Sequence, residues 1–269
     1  MSRRRIVALL VGLGVIVAGV VVVLALLRDD TTTVLDADQA QAAAMTTTSS
    51  PPDGGSASST TPAFTTAPAA DDVVVYAYEM SGHEEIDALA GARHDYPAET
   101  YLTIQTGGCG QLWRWQAIEE RWSSWEVCDP QHVTVAGFDS FNRWFGVDDL
   151  QQYRCDGPAP YLPPSADTDT WTFVCSTEDI SQETAVEVVG VETLDIGGKE
   201  IETLHIHYTD TLTGDSTGGS ETDRWFGVDD PLVVKEVGST SSASSSPIGT
   251  VNYTEEYEIT LTALDPLTY

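Results

Sequence analysis

The chain has 269 residues, a formal net charge of -30 and a sequence pI near 4.1. Beyond residue 72 the only basic residues are Arg93, Arg114, Arg121, Arg143, Arg154, Lys199, Arg224 and Lys235. Such a surface repels phosphate backbones and anionic lipid headgroups, which excludes nucleic acid as a partner and reads otherwise as a well-solvated exterior.

Residues 1–5 carry Arg3, Arg4 and Arg5 and precede an unbroken apolar run, IVALLVGLGVIVAGVVVVLALL, over residues 6–27. As a helix this run reaches about 33 Å, enough to cross a hydrocarbon core, and helix is the form that pairs every backbone group within lipid. The arginines before it place the N-terminus in the cytoplasm and the remainder outside. The run exceeds the core of a cleaved signal peptide, and Leu26-Leu27-Arg28-Asp29-Asp30 offers no small-residue cleavage site. The expectation is a single-pass plasma-membrane protein with an uncleaved anchor. Residues 28–72, rich in Thr, Ser, Ala, Pro and Asp, read as a disordered tether that buries too little apolar surface to offset its ordering entropy. Its Thr/Ser/Pro content also fits an O-glycosylated stalk.

Strand signals dominate residues 73–269. The expected fold class is mainly β: an antiparallel meander forming a curved sheet or unclosed barrel. It divides into a disulfide-stapled unit over 73–180 and a second over 181–269, separate or joined in one sheet. Segment 84–90 reads as a short helix or a continuation of a strand over 73–80. Cys109, Cys128, Cys155 and Cys175 form an even set on the outer side, which in an oxidising compartment reads as two disulfides. Of the three connectivities, sequential pairing is expected, with Cys109 and Cys128 near the ends of adjacent strands and Cys155–Cys175 closing a Pro-rich loop.

Expected hairpins are 112–116 with 122–127 around Glu119-Glu120, 186–196 with 199–209 around Gly197-Gly198, and 221–228 with 232–238 around Asp229-Asp230-Pro231. Residues 253–263 alternate strictly. Tyr253, Tyr257, Ile259, Leu261 and Ala263 fall on one face, with Glu255 the exception among them. The heptapeptide Arg143-Trp144-Phe145-Gly146-Val147-Asp148-Asp149 recurs as Arg224-Trp225-Phe226-Gly227-Val228-Asp229-Asp230. It suggests two related β units, each anchored by a buried aromatic.

Chemistry-bearing patterns are sparse. Gly214–Gly219 resembles the GDSGG of chymotrypsin-like proteases over too short a stretch, and no histidine motif accompanies it. His205 and His207 share a strand face but lack a third metal ligand. The Asp148-Asp149, Asp229-Asp230 and Asp167/Asp169 sets could offer oxygens to Ca²⁺, yet acidic turns are common and no EF-hand loop is present. The expectation is no catalytic residue, no metal and no cofactor. Trp113 and Trp115 share a face, with Trp122 placed opposite Trp115. Together with Trp144 and Trp225 they are candidate ligand-contacting or core aromatics.

VETLDIGGKEIETLHIHYT, DRWFGVDDPLVVKE and the closing YTEEYEITLTALDP resemble the distal half of LolA-like lipoprotein-carrier β-sheet domains. The resemblance implies a curved, unclosed antiparallel barrel able to hold a lipid chain. The anchor, tether and lysine-poor acidic composition resemble actinobacterial membrane-anchored surface proteins. The functional expectation is a non-enzymatic, membrane-tethered envelope protein that binds a protein partner or an apolar, lipid-like ligand. An enzyme acting on envelope glycans or lipids, and a purely structural module, are the alternatives.

Overall fold

The structure, a computed structural model, describes residues 32–46, 73–246 and 249–268. The predicted span over 6–27 lies outside them. Among the described residues no helix is long and apolar enough to cross a membrane.

One helix, α1 (Ala37–Thr46), precedes thirteen strands. These are β1 (Val73–Ile86), β2 (Ala92–Asp95), β3 (Glu99–Gly107), β4 (Gly110–Ile118), β5 (Arg121–Asp129), β6 (Thr134–Trp144), β7 (Val147–Pro160), β8 (Thr170–Ser176), β9 (Ile180–Ile196), β10 (Lys199–Gly214), β11 (Ser216–Gly227), β12 (Val233–Ser246) and β13 (Gly249–Leu261). From β3 to β13 each strand pairs antiparallel with the next, and β13 then pairs with β1 from Tyr78↔Leu261 to Ile86↔Tyr253. On its other edge β1 pairs with β3 over Val73–Glu79 and with the short β2 over His83–Ile86. The result is a closed antiparallel barrel of twelve strands, with β2 as an extra strand.

The unclosed sheet expected from the LolA-like resemblance is therefore corrected. Closure rests on the pairing of the first and last strands, which removes both sheet edges. No local sequence pattern reports so long-range a contact. The two expected units are joined in one sheet, one of the two arrangements the sequence left open.

Inward positions alternate along each strand, as a barrel requires. One half of the lumen is filled by Tyr78, Leu102, Val127, Ile206, Phe226 and Leu261, each at most 6% exposed. The outer face of β1 and β3 is covered by α1. Ala40 and Ala44, four residues apart on one helix face, pack on Val73, Val75 and Tyr101. Gln105 Nε2 donates to the Ala44 carbonyl at 3.1 Å. The predicted tether over 28–72 is thus corrected for residues 37–46. Asp36 Oδ1 accepts from the Gln39 amide and Gln39 Oε1 accepts from the Asp36 amide, both at 2.9 Å, a reciprocal capping box that starts the helix.

The cysteines pair sequentially, as expected: Cys109–Cys128 and Cys155–Cys175. Cys155 and Cys175 are direct cross-strand partners of β7 and β8, a junction that has only one other paired position, Arg154↔Ser176. Replacing both Cys155 and Cys175 with serine is expected to cost about 3 kcal/mol through the regained freedom of the unfolded loop. Urea unfolding checks this, and an unchanged midpoint would show that the β7–β8 seam holds without its bridge.

Candidate functional site

The other half of the lumen is not filled. A cavity of about 660 Å³ reaches the barrel end formed by the β6–β7, β8–β9, β10–β11 and β12–β13 turns, where Val147, Asp179, Asp215 and Ser246 line it. Its size follows from the sequence of β11 and β12. STGGS and STSSASSS place Ser220, Thr240, Ser242 and Ser244 at inward positions where β13 has tyrosines. The wall on β6–β8 is aromatic, with Phe138 and Tyr153 stacked at 4.4 Å between centroids, and Phe173 beyond them.

Two arginine–carboxylate groups stand at the inner end of the cavity. In the first, Glu84 and Glu255 face each other directly across the β1–β13 ladder. Like charges so placed repel. Arg121 from β5 answers both: its Nε and Nη2 donate to Glu255 at 3.1 and 3.2 Å, and its Nε lies 3.8 Å from Glu84. Tyr96 donates to Glu255 and Tyr253 donates to Glu84 at 2.9 Å. His94 Nδ1 lies 2.7 Å from Glu84, and its ring stacks on Trp144 at 4.0 Å. In the second group Arg224 makes 2.7 and 3.3 Å contacts with Glu236, which also accepts from Tyr257.

Burial sets the protonation of these groups. It would depress both guanidinium groups, but Glu255 with Tyr253 and Tyr96, and Glu236 with Tyr161 and Tyr208, together outweigh it and hold Arg121 and Arg224 above their ordinary range. Burial raises the Tyr253 and Tyr257 phenols well above theirs, so both remain neutral donors. Burial also pushes the Glu84 carboxyl up, against the hydrogen bond from His94 that pulls it down. A raised folded-state pKa means that Glu84 contributes stability fully below its unfolded value of about 4.3 and loses it as pH rises through the folded value. Relative to Glu84→Gln, which stays neutral throughout, the wild-type protein is expected to lose stability as pH climbs from about 4.3. Urea unfolding of both proteins across that window tests this. A constant offset between them would show that Glu84 titrates alike in both states.

The five candidate aromatics separate. Trp115 and Trp144 line the cavity, and Trp113 is packed in the filled half beside Trp125, its partner across β4–β5. Trp122 does not face Trp115, which pairs with Ser123; Trp122 pairs with Gln116 and lies on the outer face, stacked on Phe141 under Arg114. A register shift between Gln116 and Ile118 changes which residues meet across this hairpin. Trp225 is also outside, stacked on His205 at 4.1 Å.

The two heptapeptides therefore do not make equivalent units. In the first, Trp144 points inward and Arg143 outward to Asp148 and Glu119. In the second, Arg224 and Phe226 point inward and Trp225 outward.

His205 and His207 share the outer face, as expected, opposite buried Ile206 and Tyr208, and are held by Glu192 and Asp223. Ser216 meets Ser244 at 2.6 Å. Among the described residues no group of three or more His, Cys, Asp or Glu could hold a metal ion. The residues that sequence reasoning passed over are Glu84, Arg121, Glu236 and Arg224. The single signal for them is Glu255, the acidic exception on the apolar face of β13.

No family model matches the chain, and no curated protein does. Among solved structures it is similar to the hypothetical lipoprotein YmcC of Escherichia coli K12, at 13% identity and a TM-score of 0.36, over 71% of this chain and 86% of that one. A candidate lipoprotein of Parabacteroides distasonis is similar at 10% identity and a TM-score of 0.28, over 71% of this chain and 94% of that one. At these scores neither likeness carries an argument about ligand, partner or location.

Proposed function

We propose that this chain is a non-enzymatic binding protein of the cell envelope, anchored through residues 6–27, which holds a small molecule in the open half of its barrel. The observation that carries this reading is the cavity of about 660 Å³, a size typical of small-molecule sites. A purely structural module would fill that volume. A bare acyl chain, the occupant implied by the LolA-like resemblance, suits the aromatic wall but would desolvate Gln182, Asp210 and the serines opposite. A ligand with both apolar and polar faces fits better. The test is native mass spectrometry of the full chain in nanodiscs, before and after organic extraction. A co-purifying mass of a few hundred daltons supports the reading. A clean apo mass that persists after incubation with envelope extract counts against it.

One observation favours a second reading, an enzyme acting on envelope glycans. Glu255 lines the cavity and faces the buried Glu84, and paired carboxylates perform acid–base chemistry at glycosidic bonds. Against it, Glu255 is already engaged by two Arg121 nitrogens and Tyr96. Release of reducing ends from peptidoglycan or capsule fragments, abolished by Glu255→Gln, would establish this reading over the first.

A further inference from the structure

We infer that the occupant of the barrel is a short saccharide without acidic groups, its ring faces against the β6–β8 wall and its hydroxyls toward β11 and β12. The inference rests on the proposal that the cavity is a ligand site.

The geometry of the two walls carries it. β12 lies six strands from β6 in either direction around the ring, so their inward side chains face each other across the lumen. On the β6–β8 side, Phe138, Tyr153 and Phe173 line the cavity as an apolar wall, Phe138 stacked on Tyr153 and Phe173 on Tyr161. On the other, Thr240 and Ser242 bring hydroxyls, each both donor and acceptor, beside Ser220, which donates to Asp210, and Ser244, which pairs with Ser216. A pyranose has this same division, with C–H groups on its faces and hydroxyls around its rim. A hydrocarbon chain would satisfy one wall and strand the other.

Charge narrows the class. Asp149, Asp179, Asp210 and Asp215 line the cavity, whereas its two lining arginines are each committed to a buried glutamate. No basic group remains among the lining residues to receive a phosphate, uronate or sialate. Neutral sugars, or sugars bearing a free amine, meet no such conflict. Asp210 already accepts from Thr184 at 2.6 Å and from Ser220 at 2.5 Å, an arrangement that a ligand hydroxyl or ammonium could extend.

The experiment uses the full chain in nanodiscs on a glycan array that includes neutral, amine-bearing and acidic oligosaccharides, with cis-parinaric acid as the lipid probe. Hits are titrated by tryptophan fluorescence. The expected result is binding to neutral or amine-bearing glycans. Phe138→Ala should weaken it about tenfold through loss of apolar contact. Ser242→Trp, which fills the cavity from the β12 side, should abolish it. Should Phe138→Ala fail to fold, Ser242→Trp alone decides. Binding confined to acidic glycans overturns the inference. Parinarate binding that Ser242→Trp abolishes, with no glycan bound, overturns the saccharide class and leaves the ligand site standing. If neither glycan nor parinarate binds, the saccharide and the site fall together.

Discussion

Arg121→Met is expected to lower stability by about 3–5 kcal/mol, the cost of removing one partner from a buried ion pair. Methionine keeps the length and apolar stem of arginine, so the loss reports the charge rather than a void. Without the guanidinium, Glu255 keeps only the Tyr96 hydroxyl, and it faces Glu84 across the ladder. Both carboxylates are at most 2% exposed, so neither can recover its hydration without opening the β1–β13 seam that closes the barrel. For a domain of this size the melting temperature should fall by roughly 10 °C. Glu255→Gln in the same chain should restore much of the loss, because it removes the repulsion that Arg121 offsets. Thermal unfolding followed by near-ultraviolet circular dichroism measures the cycle. A loss below about 1 kcal/mol, the worth of an exposed ion pair, would mean that water reaches this cluster.

The fold was legible where local chemistry determines it. Gly197 and Gly198, at φ of 59° and 82°, make the tight β9–β10 turn that their dipeptide announces. The alternation over 253–261 lies within β13, and the sequential disulfides follow from the adjacency of consecutive strands. Three features were less legible, each for a different reason. Closure depends on β1 meeting β13, a pairing that no turn specifies. Helix α1 sits in a composition typical of disorder, and its signals are the Asp36–Gln39 box and the alanine spacing rather than a strong apolar stripe. The face of Trp122 depends on a register shift of a single residue, which no alternation count detects. As for the site, the tryptophans drew attention because they are large, yet the side chains that organise the inner end of the cavity are charged. Charged residues are everywhere in so acidic a chain. Only where alternation predicts an apolar position, as at Glu255, does a carboxylate become informative.

The same seven residues, read twice, make a second large effect testable within one protein. In Arg143–Asp149 the tryptophan is the inward residue: Trp144 is 7% exposed and covers His94 at the edge of the cavity. Arg143 makes half-exposed contacts with Asp148 and Glu119. In Arg224–Asp230 the facing is reversed, with Arg224 turned inward onto the buried Glu236 and Trp225 on the outer surface between His205 and Lys235. A one-residue change of strand phase sends each side chain to the opposite face. Trp144→Ala is therefore expected to cost about 3–5 kcal/mol, and Arg143→Ala less than about 1 kcal/mol. The order inverts in the second copy. Arg224→Ala should cost about 3–5 kcal/mol by leaving Glu236 buried and unpaired, while Trp225→Ala loses one stacking surface and costs about 1 kcal/mol. Urea unfolding of the four variants decides the matter. Equal costs for the two tryptophans, or for the two arginines, would mean that the copies occupy equivalent places in the sheet. The crossed pattern would show that burial is set by strand phase relative to the barrel and not by the heptapeptide itself, so that one motif supplies an aromatic to the cavity in its first copy and an ion pair in its second.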